Sequence, residues 1–294
     1  MSGPRVAVVI PCFNYGHFIH ETLDSVAQQE RCELVVVDDG SDDPGTLEVL
    51  DELRRRGIRV ISQDNRGLSE ARMTGVRATT APYVHVLDAD DMLPEGTLTA
   101  LADALDADPQ IAASWGDYQT FGTESCHFPR ARSLDPWRIT YLAEITGTTL
   151  VRRDAIERTG GWSMGSGYED WDFWMGLAEQ GFRGVHVDRV TLLYRQHDAS
   201  MLARSRQDHN ATFARIRARH PDLFAARRAN RRRSPAPRPM KLLFGPISRL
   251  PLLDEQRRYQ LYTLIRHYAE PQMSSDCYLT PSQRLRRRLR REAR

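Results

Sequence analysis

The sequence predicts an α/β fold built on a doubly wound, mostly parallel sheet flanked by helices. Three observations predict it. The strand-like runs are continuously apolar, the segments between them repeat apolar residues at helical spacing, and polar clusters follow the runs. Continuous apolar runs mark strands buried on both faces, as in parallel sheets. Strand–helix alternation with short connections belongs to the same architecture.

The elements follow in order. Val6-Ala7-Val8-Val9-Ile10 is a strand ended by Pro11, and Phe18, Ile19, Leu23 and Val26 mark a helix. Leu34-Val35-Val36-Val37 is the second strand, followed by a helix carrying Leu47, Leu50 and Leu53. Residues 59–62 give a third strand, 68–78 a third helix, and 83–87 a fourth strand. Leu98, Leu101 and Leu105 mark a fourth helix before a strand at 111–115. From about Phe121 the alternation breaks down. Residues 147–151 read as a strand, 154–158 as a short helix, and 160–162 as a turn. A helix over 169–180 carries Trp171, Trp174, Met175 and Ala178, and 185–187 and 191–194 read as two further strands. Beyond Ser205 the chain is Arg-rich, and its Arg231-Arg232-Arg233-Ser234-Pro235-Ala236-Pro237-Arg238-Pro239 stretch reads as a linker or hinge.

Size and composition set bounds. The 294 residues allow one large α/β domain or two smaller ones, and 40% hydrophobic with 27% charged residues is ordinary for a globular protein. A net charge of +2 excludes a polyelectrolyte binder, although the first half is acid-rich and Arg crowds the last third. Cys12, Cys32, Cys126 and Cys277 fall outside metal-site spacing, so reduced thiols and a cytoplasmic location are expected. No signal peptide is expected, and no apolar stretch of about 18 residues predicts a membrane span.

Three polar clusters fall at the carboxyl ends of predicted strands: Pro11 to Asn14, Asp38 to Ser41, and Asp88 to Asp91. Ligands of doubly wound sheets bind at that edge. The third cluster, Asp88-Ala89-Asp90-Asp91, crowds three carboxylates into four positions. Like charges so close raise one another's pKa. They are relieved by solvation or by a cation. Alternate residues point to one side, and hard ions such as Mg²⁺ or Mn²⁺ take carboxylates together with substrate phosphates. The cluster therefore points to chemistry on a metal-bound phosphate compound.

Five motifs in order resemble family-two glycosyltransferases with the GT-A fold, a Rossmann-like sheet. They are Val9-Ile10-Pro11-Cys12-Phe13-Asn14, Val37-Asp38-Asp39-Gly40-Ser41, Asn65-Arg66-Gly67 with Ala71-Arg72, Asp88-Ala89-Asp90-Asp91, and Glu169-Asp170-Trp171-Asp172. The resemblance covers the first two-thirds of the chain, to about His197. It implies an inverting, metal-dependent hexosyl- or N-acetylhexosaminyltransferase. Such an enzyme moves a sugar from a nucleotide diphosphate sugar, expected to be a UDP-sugar, to an acceptor hydroxyl. Cell-envelope, polysaccharide or glycoconjugate synthesis would be its setting. The resemblance also implies a GT-A domain over residues 1–204, with a nucleotide-sugar half (1–120) and an acceptor half (121–204). A basic, mostly helical extension then covers 205–294.

Site roles carry over by position. Pro11, Phe13 and Asn14 would hold base and ribose, with Phe13 stacking where the family more often has Tyr. Asp39 matches the acceptor for a base N–H, while Asp38 or Ser41 serves the turn. Arg66 and Arg72 match positions for diphosphate or base, since guanidinium suits phosphate oxygens. Asp90 is the expected direct ligand of Mn²⁺ or Mg²⁺. Asp88 faces the ribose or the metal's waters, and His197 is a further candidate ligand. Asp91 reads as a helix-start carboxylate. Asp170 matches the general base, which must reach the acceptor hydroxyl. Glu169 contacts the acceptor or orients the loop, and Trp162 is a candidate sugar platform.

The acceptor is expected to be a saccharide, a lipid-linked saccharide or a small molecule. Seven arginines between 284 and 294, with Leu285 and Leu289, fit peripheral contact with an anionic membrane or a solvated tail. The 242–244 and 247–253 regions could add apolar contact. No stacking or recognition motif supports nucleic-acid binding. Two rival readings are a nucleotidyltransferase, which would want a Gly-rich, Lys-bearing loop after the first strand, and a non-catalytic nucleotide-sugar-binding protein.

Overall fold

The computed structural model describes residues 3–165, 167–197, 208–275 and 277. Strands β1 (Val6–Cys12), β2 (Glu33–Asp38), β3 (Val60–Ser62) and β4 (Tyr83–Val86) alternate with helices α1 (Gly16–Ala27), α2 (Pro44–Arg55) and α3 (Leu68–Arg77). These four strands pair in parallel. Helix α4 (Thr97–Asp106) leads to β5 (Ile111–Gly122), which forms a hairpin with β6 (His127–Phe128). Then come β7 (Leu150–Arg152), α5 (Arg153–Thr159), α6 (Glu169–Glu179) and β8 (Arg183–Gln196). The sheet order is β3-β2-β1-β4-β7-β5-β6, with β8 beside β5. Strand β7 is antiparallel to both its neighbours. The order reverses between β1 and β4, which opens the crevice where ligands of such sheets sit.

Alternation along β1 explains the layers. Val6, Val8 and Ile10 pack with Ile19, Leu50 and Leu98 on one face. Val9 faces the other layer, with Ala71, Val84 and Trp174. Both faces are covered, so the strand is apolar without a break. Helix α3 lies unusually close to β1. A Cβ on Gly75 would collide with the Val9 side chain, so only glycine permits this approach.

The chain continues as helices α7 (His209–Arg219), α8 (Pro221–Ala225), α9 (Arg227–Arg233), α10 (Arg238–Ile247) and α11 (Glu255–Ala269). They are not an independent module. Phe213, Ile216 and Leu223 join the core beside α6. Met240, Phe244 and Tyr262 pack on Trp137, Tyr141 and Leu142.

Four expectations are corrected. The two strands expected at 185–187 and 191–194 are one continuous β8. Its middle is exposed at Asp188 and Arg189, and its register with β5 shifts near Asp117, which broke the apolar pattern. The expected hinge around 231–239 is helix, then a short connection, then helix. Ser234 anchors it by donating to Asp135 Oδ2 (2.5 Å). Cys126 and Cys277, 151 positions apart, form a disulfide, which spacing alone could not show. Asp91 starts no helix: it is buried and accepts from the Arg195 amide at 2.9 Å. The arginine cluster at 284–294 lies outside the described residues.

One core residue has no good rationale in stability. His85, in the middle of β4, is fully buried and neither ring nitrogen makes a well-formed hydrogen bond. Burial depresses its pKa to about 4, so it is neutral at pH 7. An orphaned buried polar group costs about 1–3 kcal/mol. His85→Leu should therefore raise the unfolding free energy by about 1–2 kcal/mol at pH 7, read by urea titration. A loss of stability would show that the imidazole has a partner.

Candidate active site

The crevice at the β1/β4 switch point is built from the ends of β1, β2, β4 and β8 and the start of α6. Its centre is Arg72, which α3 presents. The guanidinium is 2% exposed and reaches three carboxylates. Its Nη1 donates to Asp170 Oδ1 at 2.7 Å and to Glu169 Oε1 at 3.4 Å, and its Nη2 to Asp88 Oδ1 at 3.2 Å. Burial works against its charge, but Asp170, Asp88 and Glu169 together raise its pKa. One side chain thus joins the strand-end acids to the helix-start acids, from segments some eighty residues apart in sequence.

The two acid clusters differ in their environment. Glu169 is pushed up to about 7, first by burial and then by the Asp170 charge, with Arg72 opposing. Tyr168, just before it, is held in the left-handed region (φ 61°), which is uncommon for a non-glycine residue and concentrates at functional sites. Gly147 faces Asp170, and a Cβ there would overlap the Asp170 carboxylate. The 139–147 stretch is tied to α6 by Trp171 Nε1 donating to the Ile139 carbonyl (2.6 Å) and Trp174 Nε1 to the Thr146 carbonyl (3.1 Å).

At the strand end, His197 Nε2 lies 2.9 Å from Asp90 Oδ2. Asp90 is raised by burial and by Asp88, with His197 pulling the other way. Asp91 is raised further, by burial and then by Asp90 and Asp88, and its Oδ2 has no hydrogen-bond partner. Charge in this corner is short of compensation, and an oxygen and a nitrogen ligand converge there. That donor set suits a Mn²⁺- or Mg²⁺-type ion. Asp88 is committed to Arg72.

The base-side residues fall at the carboxyl ends of β1 and β2. Phe13 is 42% exposed, with its ring available for stacking. Pro11 is buried within β1. Asn14, also left-handed (φ 61°), accepts from the Asp42 and Asp43 amides (both 3.0 Å) and donates to Asp42, so its amide is spent on the loop. Asp39 accepts from Gln63 (2.7 Å) and from the Arg66 and Gly67 amides (2.9 and 2.8 Å). Asp38 takes the structural role, accepting from Ser41 N and Ser62 Oγ (both 2.9 Å). Arg66 is exposed at the rim.

Two expected roles do not survive this placement. Arg72 is enclosed and spent on carboxylates, so it is not open to phosphate. Trp162 is 2% exposed, stacked on Phe173 with centroids 4.3 Å apart and lying under the Arg72 guanidinium. It presents no free face to a sugar. Sequence reasoning missed Gly147 and Arg195. Arg195 donates from Nε to the Asp90 carbonyl (2.8 Å) and lies over both Phe18 and Phe121. Its neighbour His197 was the only available signal.

An Asp-x-Asp turn at a switch point, facing a second acid pair at a helix start, is the layout of sugar-transferring enzymes of the GT-A type. Residues 7–164, over half of the chain, match the family model described as Glycosyl transferase family 2, and the chain belongs to that family. A curated relative is the uncharacterized glycosyltransferase EpsJ of Bacillus subtilis (strain 168). It is 30% identical over 130 residues, which is 43% of this chain and 38% of EpsJ, so the chain spans well under half of that relative. TarS of S. aureus, solved with UDP-GlcNAc, aligns with a TM-score of 0.58 at 18% identity, over 90% of this chain and 73% of TarS 1–349. The mannosyltransferase PcManGT of Pyrobaculum calidifontis, solved with GDP-Man and Mn²⁺, gives 0.58 at 21% identity over 93% and 88%. These likenesses establish the GT-A fold.

Two outcomes test this reading of the site. Arg72→Lys keeps one charge but cannot fork to three carboxylates. Donor turnover should fall by about 10²-fold with the melting temperature also lowered, as expected when a positioned group shifts by about 1 Å. Glu169, with its pKa raised from 4.5 to about 7, binds a proton in the folded protein that the unfolded chain has released. Stability is therefore lost as pH rises from 4.5 through 7. Glu169→Gln should remove that slope, on the order of 3 kcal/mol, in denaturation series across the window.

Proposed function

We propose that the protein is an inverting glycosyltransferase that moves a sugar from a UDP-sugar to an acceptor hydroxyl. The observation that carries this reading is the Arg72 bridge, because it sets the donor-side Asp88 and the acid pair Glu169–Asp170 around one point. Phe13 stacks on the base and Asp39 meets its N–H. Asp90 and His197 would hold a divalent ion. When bound, that ion supplies Lewis-acid stabilisation of the diphosphate leaving group.

Asp170 takes the proton of the acceptor hydroxyl. The hydroxyl oxygen forms the new bond to the anomeric carbon as the bond to the diphosphate oxygen breaks, from the opposite face. Arg72 fixes the Asp170 carboxylate, and Gly147 leaves room beside it. Glu169, protonated up to about pH 7, can donate a hydrogen bond to an acceptor hydroxyl. The loop that faces the acid pair forms the acceptor side and would receive a saccharide, lipid-linked or small-molecule hydroxyl. The product would be a polysaccharide or glycoconjugate, as the resemblance implies.

The domain division follows the same reading, with residues 1–204 as the transferase and the helices beyond as its support. Arg138 joins the two. It reaches Glu144 at 2.7 Å in the acceptor loop and Glu270 at 2.7 Å at the end of α11. A nucleotide-sugar-binding protein without activity would have no use for an acid pair held in this way.

The test is nucleoside diphosphate release from a panel of UDP- and GDP-sugars with Mn²⁺. Wild type should turn over one donor, slowly even against water. Asp170→Asn should keep donor affinity while turnover falls by about 10²–10⁴-fold. Tight donor binding by wild type with no release under any acceptor would favour the binding-protein reading.

A further inference from the structure

Among the described residues, the large apolar side chains that stand in solvent collect in one place. Two of them, Phe13 and Leu47, lie elsewhere. Leu242, Leu243, Leu250, Leu252, Leu264 and Tyr268 all belong to the α10–turn–α11 hairpin. Leu252 is 90% exposed and Tyr268 77%. The hairpin already has an inner face, since Met240, Phe244 and Tyr262 pack on Trp137 and Tyr141. The exposed leucines and Tyr268 take no part in that packing. A concentration of exposed leucines on that scale marks an interaction site.

Charge identifies the occupant. Residues 208–275 carry fourteen Lys and Arg against five Asp and Glu. Lys241 and Arg249 flank the leucines in sequence. Of the hairpin's own acids, Asp254 caps α11 by accepting from the Arg257 amide (2.8 Å), and Glu255 pairs with Arg258 (2.6 Å). A second copy of this chain would bring two positive surfaces together. The segment 278–294, with seven arginines and one glutamate, would do the same. An anionic lipid surface accepts apolar and cationic groups at once. Among the described residues no helix is long and apolar enough to cross a membrane, so contact would be interfacial.

We propose that the α10–α11 hairpin docks the protein on anionic lipid bilayers, with the exposed leucines entering the headgroup boundary and the surrounding arginines meeting lipid phosphates. This site is separate from the sugar-transfer crevice and does not depend on the reading of that crevice. It also differs from a purely electrostatic tail, because it needs the leucines.

The experiment is vesicle sedimentation of the full chain, using phosphatidylcholine alone and an equimolar mixture with phosphatidylglycerol. Wild type should bind the mixed vesicles, weakly or not at all the neutral ones, and less at high salt. L250E/L252E keeps every arginine, including those beyond residue 277, yet should lower the affinity for mixed vesicles by about tenfold or more. Both side chains are exposed, so the melting temperature should be unchanged. Leu252→Gln alone, the milder change, should shift affinity in the same direction. Wild-type binding by both variants would assign attachment to the arginines alone and overturn the proposal. So would equal binding to neutral vesicles, or a wild-type dimer that L250E/L252E dissociates.

Discussion

A guanidinium with almost no solvent exposure is expensive unless its charge is answered at close range, and Arg72 is answered by Asp170 and Asp88, with Glu169 a third partner that carries charge only above about pH 7. Removing one partner from a buried ion pair typically costs about 3–5 kcal/mol, because the other charge is then left stranded. The constraint works in both directions. Asp88, Glu169 and Asp170 could not be gathered in one crevice without a cation among them, and Arg72 could not be buried without them. The geometry reaches back to a backbone fact. Gly75 sits one turn after Arg72 on α3, and its missing Cβ lets the helix settle against Val9 of β1. That close approach carries the Arg72 side chain into the crevice. The site therefore depends on a glycine that touches none of its chemistry.

A second set of contacts holds the other wall. Trp171 and Trp174 bury their rings in the core and spend their indole N–H groups on carbonyls of the 139–146 loop. Arg138, itself largely enclosed, clamps the same loop to the end of α11 through two carboxylates. The C-terminal helices therefore brace the loop that contains Gly147, and Gly147 faces Asp170. Bidentate guanidinium–carboxylate pairs are geometrically demanding, and two on one side chain leave little freedom. The Arg-rich composition beyond Ser205 reads in sequence as a basic, mostly helical extension with a linker or hinge at 231–239. Part of it is structural, in Arg227 and Arg258, and part stands exposed on the outer helices.

The parallel half of the fold was legible because its physics is local. A strand covered on both faces must be apolar at every position, and the polar residues that end it fall at a fixed edge. Hence the clusters at 11–14, 38–41 and 88–91 could be placed on one side of the sheet before any coordinates. The rest depends on tertiary neighbours. Nothing near Arg72 announces that its partners are acids rather than phosphates, since both are anions at similar range. Trp162 carries the same sequence signal whether it packs on Phe173 or faces solvent. Cys126 and Cys277 are joined by the whole intervening chain, which no spacing rule covers. Strand β8 was split because a bulged strand with an exposed middle loses its period.

The two sides of the crevice are satisfied in different ways, and this shapes how a donor would enter. On one side, Asp170 is held by Arg72, a cation it shares with Glu169 and Asp88, so the carboxylate is preorganised. On the donor side the groups are paired with one another. Asp90 is paired with His197, and Asp39 accepts three hydrogen bonds from the 63–67 loop. Asp90 and His197 would be the residues to hold a divalent ion, and doing so would end their own pairing. On the proposed reading, a base N–H would share Asp39 with the amides that already hold it. Neither change would leave a buried group unpaired, since the first exchanges one partner for another and the second adds a donor to a carboxylate. Donor binding would thus be felt directly in the position of the 63–67 loop, whose Gly67 starts α3. Helix α3 carries Arg72, and Arg72 holds Asp170. By that route the 63–67 loop is mechanically connected to the Asp170 carboxylate.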